Sequence, residues 1–427
     1  MSAPRIVITG MSVLTRLGDE LDTFYENLLA GKSSVVKWRT FKTDGIYAKV
    51  GADLFDYDVD KAFSKIQPAL GEETVRKAQR LMKNAPWGEK LTILTALKAS
   101  LDAKMAQWAY DPYDCATIVA GHNLNLNYEF TNHDQFNAEP DFIEGLFALR
   151  GLDTDHAGIV SELLTLKGSA YTVGGACASG NIALKLAVDE ILHHDMKAAV
   201  VVAPVLDFSP LEFQGLAMME AISYRSFNEA PEKASRPYDL KREGFVPAHG
   251  AAALVVERLE TAKERGAKIH AEVLGVEASA DANHLPQPSQ EGQARLMQRL
   301  LKRTGVRVEE IDYINAHATS TPLGDLTEIR AIKQALGKRA YEIKINAPKS
   351  MLGHTCWSAA TVETVAAILQ MNRGKLHPSI NIDELEPEVD LDVCRGKAVD
   401  CNVNIFLKNS FGFGGLNCIA LFKKHES

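Results

Sequence analysis

The chain contains no uninterrupted apolar stretch near the ~20 residues that cross a bilayer; its longest uncharged apolar runs, such as 198–206, are strand-sized. No membrane span is expected. It also lacks a surplus of positive charge: 47 Lys and Arg face 55 Asp and Glu, a net −8. Phosphate neutralisation needs the opposite balance, so no nucleic-acid partner is expected. Its six cysteines, Cys115, Cys177, Cys356, Cys394, Cys401 and Cys418, form no CxxC pair, which argues against a disulfide framework or structural zinc and for a reducing, cytoplasmic setting. The first fourteen residues lack the basic segment, long apolar core and cleavage site of a signal peptide, so export is not expected. No Pro/Ser linker or low-complexity tract interrupts the chain. The two halves should share one body, with the seam in the charged segment 258–268 and units at 1–257 and 258–427.

What is present is enough apolar material, 46% of 427 residues, for two or three units or one large duplicated fold. Short β-branched runs at 5–9, 116–120, 199–202, 254–257, 269–274, 313–315, 342–346, 403–407 and 418–422 alternate with helical patterns. That alternation predicts α/β layers around largely buried sheets. Residues 74–105 have helical spacing broken at Asn84-Ala85-Pro86 and read as a helical hairpin outside the sheets. An internal echo points to duplication: Cys177 precedes an apolar pair, Ile191-Leu192, by the same interval as His354 precedes Ile368-Leu369.

Most motif-like stretches fail on chemistry. Gly31-Lys32-Ser33 imitates a phosphate loop, but Glu26 stands where that loop needs glycine. Gly412-Phe413-Gly414-Gly415 lacks dinucleotide-fingerprint spacing, and His193-His194 reads as a solvated helix cap. Cys177 differs. It lies in Gly174-Gly175-Ala176-Cys177-Ala178-Ser179-Gly180, a turn between a short strand at 170–173 and a helix at 181–192. A thiol at a helix N-terminus meets free backbone N–H groups and the positive dipole end, which favours thiolate. Two histidines stand at similar strand ends: His317, within Asn315-Ala316-His317-Ala318-Thr319-Ser320-Thr321, and His354, closing Lys349-Ser350-Met351-Leu352-Gly353-His354. In parallel α/β folds such positions converge, so a Cys-His-His site is expected.

At this point the sequence resembles the elongating β-ketoacyl-acyl-carrier-protein synthases, condensing enzymes of fatty-acid and polyketide synthesis. The matching segments run from Val7-Ile8-Thr9-Gly10 through the Cys177 turn, Arg236-Pro237-Tyr238-Asp239 with Arg242, Gly244, Phe245 and Val246, both histidine segments and Asn409-Ser410-Phe411-Gly412-Phe413-Gly414-Gly415. The resemblance implies a thiolase-like fold of duplicated α/β halves in a layered α-β-α-β-α body. It implies an acyltransferase in which Cys177 accepts an acyl chain and malonyl-carrier protein is decarboxylated and condensed onto it. His317 and His354 would stabilise the enolate as neutral N–H donors, and the backbone N–H groups of Cys177 and Phe413 would form an oxyanion hole. Lys349, paired with Glu363, would orient the site; Thr319 and Thr321, with Phe411 and Phe413, would bind the substrate's phosphopantetheine arm. No metal or organic cofactor is implied, since the carrier thioester supplies the activation.

The chain departs from the family at Ser12, Ala318, Trp357 and Ala360, where glycine is usual, at Ala248-His249-Gly250, and at Leu416. Trp357 adds bulk beside the implied acyl pocket in the helix bearing His354. Two alternatives remain: a malonyl-carrier-protein decarboxylase, a class that generally lacks the nucleophilic cysteine, and the ketosynthase subunit of a heterodimer with a cysteine-free chain-length partner. The implied partners are an acyl carrier protein and a second synthase chain, as homodimer or heterodimer. Arg76, Arg80 and Lys83, at i, i+4 and i+7 of one helix face, are the expected carrier-docking residues near the pocket entrance.

Overall fold

The computed structural model describes residues 4–426. Ten strands form one sheet: β1 Ile6–Thr15, β2 Cys115–Ala120, β3 Ala170–Val173, β4 Ala198–Ala203, β5 Gly250–Arg258, β6 Ala271–Ala280, β7 Tyr313–Asn315, β8 Lys344–Asn346, β9 Ile405–Gly412 and β10 Leu416–Lys423. Their order is β8-β7-β9-β10-β6-β1-β5-β4-β2-β3. Split between β6 and β1, each half has its third strand at the outer edge, followed by its second, fourth, fifth and first. The directions agree as well: in both halves the outer three strands are parallel and the inner pairings antiparallel. The halves join where Ile6, Val7 and Ile8 of β1 pair with Val273, Glu272 and Ala271 of β6. This is the duplicated α/β arrangement the resemblance implies.

The central strands read as continuous apolar runs because both of their faces are covered. Every residue of β1, β2 and β4 is buried, each fully covered Val, Ile or Leu contributing ~1.5–3 kcal/mol. Two helices fill the middle layer, α4 (Ser179–His193) and α7 (Ala359–Arg373), touching each other and strands of both halves. Their crossing is close at Gly180, where a Cβ would stand 2.4 Å from Thr361 Oγ1 and 2.8 Å from its backbone N. Outer layers come from α2 (Trp87–Asp102) and α3 (Thr154–Leu164) on the first half, and α5 (Gln290–Thr304) and α6 (Pro322–Leu336) on the second.

Two expectations need correction. The predicted hairpin exists as α1 (Glu72–Met82) and α2, with Pro86 at the break, but α2 does not stand outside the sheets. It lies on β1 and β5, so closely that a Cβ at Gly10 would fall 2.6 Å from Ala99 O, and the Ser12 hydroxyl donates to Thr95 O at 2.7 Å. The echo is real but in another register. Single 3-10 turns, Ala176–Ala178 and Cys356–Ser358, precede α4 and α7, and each opens on a left-handed residue, Ala176 at φ +47° and Cys356 at φ +51°. Cys177 therefore corresponds to Trp357, not to His354, and Trp357 stands in the turn before the helix. Apolar pairs recur every three to four residues along any buried helix, so they cannot set register.

Candidate active site

Cys177 is held in a strained turn at the end of β3. The left-handed Ala176 costs on the order of 1–3 kcal/mol. Ser179 braces it, its hydroxyl accepting from Gly175 N–H at 2.9 Å and donating to Ala176 O at 2.6 Å. From the other half, the end of β9 comes against this turn at Gly412, where a Cβ would lie 2.6 Å from Gly175 O and 3.2 Å from Cys177 N. Bare backbone here brings the Phe413 N–H to the Cys177 sulfur, which also meets the N–H of Cys177 itself.

The histidines arrive from the second half. His317 follows β7 in a loop tied to α6: His317 and Ala318 N–H donate to Glu328 at 2.9 and 2.8 Å, and Ser320 N–H to Asp325 at 3.0 Å. Ala318, at φ +29°, and Ser320, at φ +70°, are further strained positions. The Arg236-Pro237-Tyr238-Asp239 segment braces this loop. Tyr238 N–H donates to Asp325 at 2.9 Å, Arg236 N–H to the Ser320 hydroxyl at 3.0 Å, and the Arg242 guanidinium to Thr321 O at 3.1 Å and Pro322 O at 2.7 Å. His354 follows Gly353, which is left-handed at φ +69°, and its Nδ1 accepts from Cys356 N–H at 3.1 Å. Its proton therefore sits on Nε2, which is buried and has no partner among the described residues. Lys349 Nζ donates to His317 O at 2.6 Å and lies 3.5 Å from His317 Nδ1, which leaves the His317 proton on Nε2 as well.

The rings of His317 and His354 are nearly perpendicular, with centroids 5.6 Å apart. One ligating atom each from Cys177, His317 and His354 lies within 4.8 Å of the others, the only such group found among the described residues. A thiol and two imidazoles so placed could ligate a soft metal ion; equally, they can surround a thioester. Burial, and then the Lys349 ammonium, hold both histidines well below the ordinary imidazole value, so they are neutral near pH 7. Cys177 corrects the expectation of a ready thiolate. Burial pushes its thiol up to about 11, against the opposing pull of Lys349 and the two backbone N–H groups.

Behind the histidines, Lys349 pairs with Glu363 at 2.5 Å, and Glu363 also pairs with Lys408 at 2.8 Å, all three side chains buried. Lys408 is the residue that sequence reading missed. Burial, partly offset by Glu363, brings its ammonium down to about 8. A lysine between Leu407 and Asn409 looks like the solvent face of a strand, and its one signal is the Asn409-Ser410 segment that follows. Glu328, which also accepts from Asn409 at 2.9 Å, was missed too.

A cavity of about 240 Å³ runs from Cys177 past His317, His354, Phe411 and Phe413 to the surface at Met219 and Leu323. Thr319 and Thr321 line it with hydroxyls 3.0 Å apart. Phe411 meets the His317 ring edge to face at 5.8 Å. Of the departures, His249 is buried, its Nδ1 accepting from Leu54 N–H at 3.2 Å between the rings of Trp38 and Trp87; Ala360 lies at the α4–α7 crossing. The expected docking residues do not reach the cavity mouth of this chain. Arg76 and Arg80 on α1 and Lys83 just past its end are exposed, and α1 borders the starts of β2 and β3: Lys77 donates to Thr165 at 2.7 Å and Lys167 N–H to Pro112 O at 2.8 Å. Cys177 lies beyond the opposite end of β3.

Residues 3–262 match the β-ketoacyl synthase N-terminal domain and residues 270–383 the β-ketoacyl synthase C-terminal domain. The chain is 33% identical to 3-oxoacyl-(acyl-carrier-protein) synthase 2 of Coxiella burnetii, covering 98% of both chains. It is 30% identical to the polyketide biosynthesis malonyl-ACP decarboxylase PksF of Bacillus subtilis, over 99% of this chain and 97% of that one. Among solved structures, the ishigamide ketosynthase/chain length factor superposes with a TM-score of 0.86 at 27% identity, covering all of both chains. With matches spanning both halves and a Cys-His-His cluster at their junction, the chain belongs to the β-ketoacyl synthase family of condensing acyltransferases.

Proposed function

We propose that Cys177, His317 and His354 carry out decarboxylative condensation on substrates borne by an acyl carrier protein. The observation that carries this is the buried convergence of one thiol and two neutral imidazoles at the end of a solvent-reaching cavity. The Cys177 sulfur attacks a carrier thioester; the new acyl–sulfur bond forms as the carrier's carbon–sulfur bond breaks, and the thiol proton leaves with the carrier's pantetheine sulfur. Malonyl-carrier protein then enters, and its carbon–carboxylate bond breaks to release carbon dioxide. The electron pair stays on the enolate, whose oxygen accepts from the Nε2–H groups of His317 and His354. The enolate carbon attacks the acyl-Cys177 carbonyl. The resulting oxyanion is held by Cys177 and Phe413 N–H, and collapse expels the Cys177 thiolate, which takes a proton from solvent to restore the thiol. Lys349, set by Glu363 and Lys408, positions His317 through its carbonyl. Thr319, Thr321, Phe411 and Phe413 seat the pantetheine arm.

The partners follow from two surfaces. β3 is one edge strand of the sheet, with Ala170 and Tyr171 exposed, and Phe136, Phe142, Leu146, Leu149 and Leu152 are exposed on the excursion before it. An open strand edge beside exposed apolar side chains suits a two-fold dimer, or a heterodimer with a related synthase chain. The carrier protein docks on Arg76, Arg80 and Lys83. Intact-protein mass spectrometry with a panel of acyl carrier proteins, then malonyl-carrier protein, tests the reading. An acyl adduct on Cys177, discharged as a chain extended by two carbons, supports it; carbon dioxide release without any adduct means a decarboxylase instead.

A further inference from the structure

Opposite the arm cavity, the nucleophile turn is walled by its own structural counterpart. The turn Cys356–Ser358 packs against Ala176–Ala178, and Cys356 is close enough to Cys177 for that neighbour to raise the Cys356 thiol further, beyond the larger effect of burial. Trp357, the residue that corresponds to Cys177, lies stacked on His122 with ring centroids 4.4 Å apart and planes 29° from parallel. Two glycines make room for this stack. A Cβ at Gly174 would stand 2.7 Å from His122 Cδ2; one at Gly121, whose φ of +130° already disfavours a side chain, would stand 3.2 Å from Trp357 Cδ1. Neither His122 nor Trp357 lines the cavity that leads in from solvent. An acyl group on Cys177 cannot extend back along the channel its carrier arm occupies, so its chain must run toward this stack.

We propose that the His122–Trp357 stack closes the acyl side of the site and restricts the group carried on Cys177 to a short one, acetyl to butyryl in size. This rests on the proposed role of Cys177. A long alkyl chain would have to displace two rings already in contact, where close-packed side chains yield little. It would also leave the buried indole N–H, which has no partner among the described residues, facing hydrocarbon.

The test is the rate of Cys177 acylation, read by intact-protein mass spectrometry, with acetyl, butyryl, octanoyl and dodecanoyl pantetheine thioesters, which bypass carrier docking. The native enzyme should load acetyl and butyryl and discriminate against dodecanoyl by on the order of 10²-fold. Trp357→Gly should load octanoyl at least about tenfold faster than the native enzyme, with acetyl little changed. His122→Ala, which leaves the turn intact, should shift the profile the same way and serves if Trp357→Gly fails to fold. Equal loading of acetyl and dodecanoyl by the native enzyme, or an unchanged profile in a folded variant, overturns the inference and leaves the role of Cys177 standing. No adduct from any thioester overturns that role instead.

Discussion

The turns Ala176–Ala178 and Cys356–Ser358 occupy equivalent places in the two halves, each opening on a strained left-handed residue and leading into a 15-residue central helix. One presents a thiol and the other an indole. The residues that lead into the turns differ in the same way: three positions before Trp357 stands His354, where the first half has Gly174 three before Cys177, a glycine whose missing side chain admits His122. Duplication thus supplies two copies of one scaffold, and function divides between them. The first half carries the nucleophile, while the second carries the donors, their supporting charges and a bulky wall. Chemistry at the junction needs both, since the Phe413 N–H of the second half meets the sulfur of the first.

The sharpest break in that division is Cys177→Ala. It should abolish every acyl adduct while leaving the fold in place, because alanine fits the turn with only a sulfur lost, and it should spare malonyl decarboxylation, which uses the other half. An adduct mapped to Cys356 or another cysteine would refute the assignment. Second in size, His317→Ala and His354→Ala should each slow decarboxylation by about 10²–10³-fold through loss of one donor to the enolate oxygen. Both should still self-acylate, and undiminished carbon dioxide release in both variants would remove them from the reaction.

The two halves should also respond to pH differently. Cys177 is raised to about 11, so at neutral pH it is a thiol. Its thiolate fraction, and with it alkylation by iodoacetamide, should climb about tenfold per pH unit with no plateau below about pH 9. Both histidines are lowered, so their neutral forms persist on acidification, and decarboxylation by Cys177→Ala should stay flat between about pH 7 and 6, below the range in which Lys408 titrates. A thiol titration near neutrality, or a decarboxylation rate falling with an ordinary imidazole midpoint, would contradict the burial on which both statements rest.

How much of this the sequence shows depends on what each residue's neighbours reveal. The strands at Ala170–Val173 and Tyr313–Asn315 stand as read, because β-branched or aromatic runs bounded by turn residues have one local solution. The catalytic trio is legible from motif context. The thiol's protonation was not: a helix N-terminus is visible in sequence, whereas the burial that outweighs it is a property of the whole fold. From sequence α2 reads as lying outside the sheets, because its buried residues, among them Leu91, Ile93, Leu94, Ala96 and Leu97, wrap around the helix and leave no single face to read. Lys408 was hidden because strand alternation marks a lysine as solvent-facing, and only the fold sets Glu363 opposite it.

The smallest effect concerns which half receives the carrier protein. α1 borders the start of β3, and Cys177 lies past its end, so within one chain the basic face and the cavity are at opposite ends of the strand. Pairing of two β3 edges across a two-fold axis runs them antiparallel, which sets the start of one β3 beside the end of the other. In such a dimer the α1 of one protomer would flank the Cys177 end of its partner, and a carrier bound there would serve the partner's cavity. Arg80 is partly neutralised by its ion pair with Glu162, and Lys77 by Glu73 at 3.0 Å. Such exposed charges steer encounter more than they add affinity. Reversing Arg76, Arg80 and Lys83 together to Glu should raise the Michaelis constant for carrier-bound substrate by on the order of 3- to 10-fold and flatten its salt dependence. Pantetheine thioesters should be unaffected. An equal effect on those small thioesters would place the charges' influence in the cavity, and no effect on either substrate would remove α1 from docking.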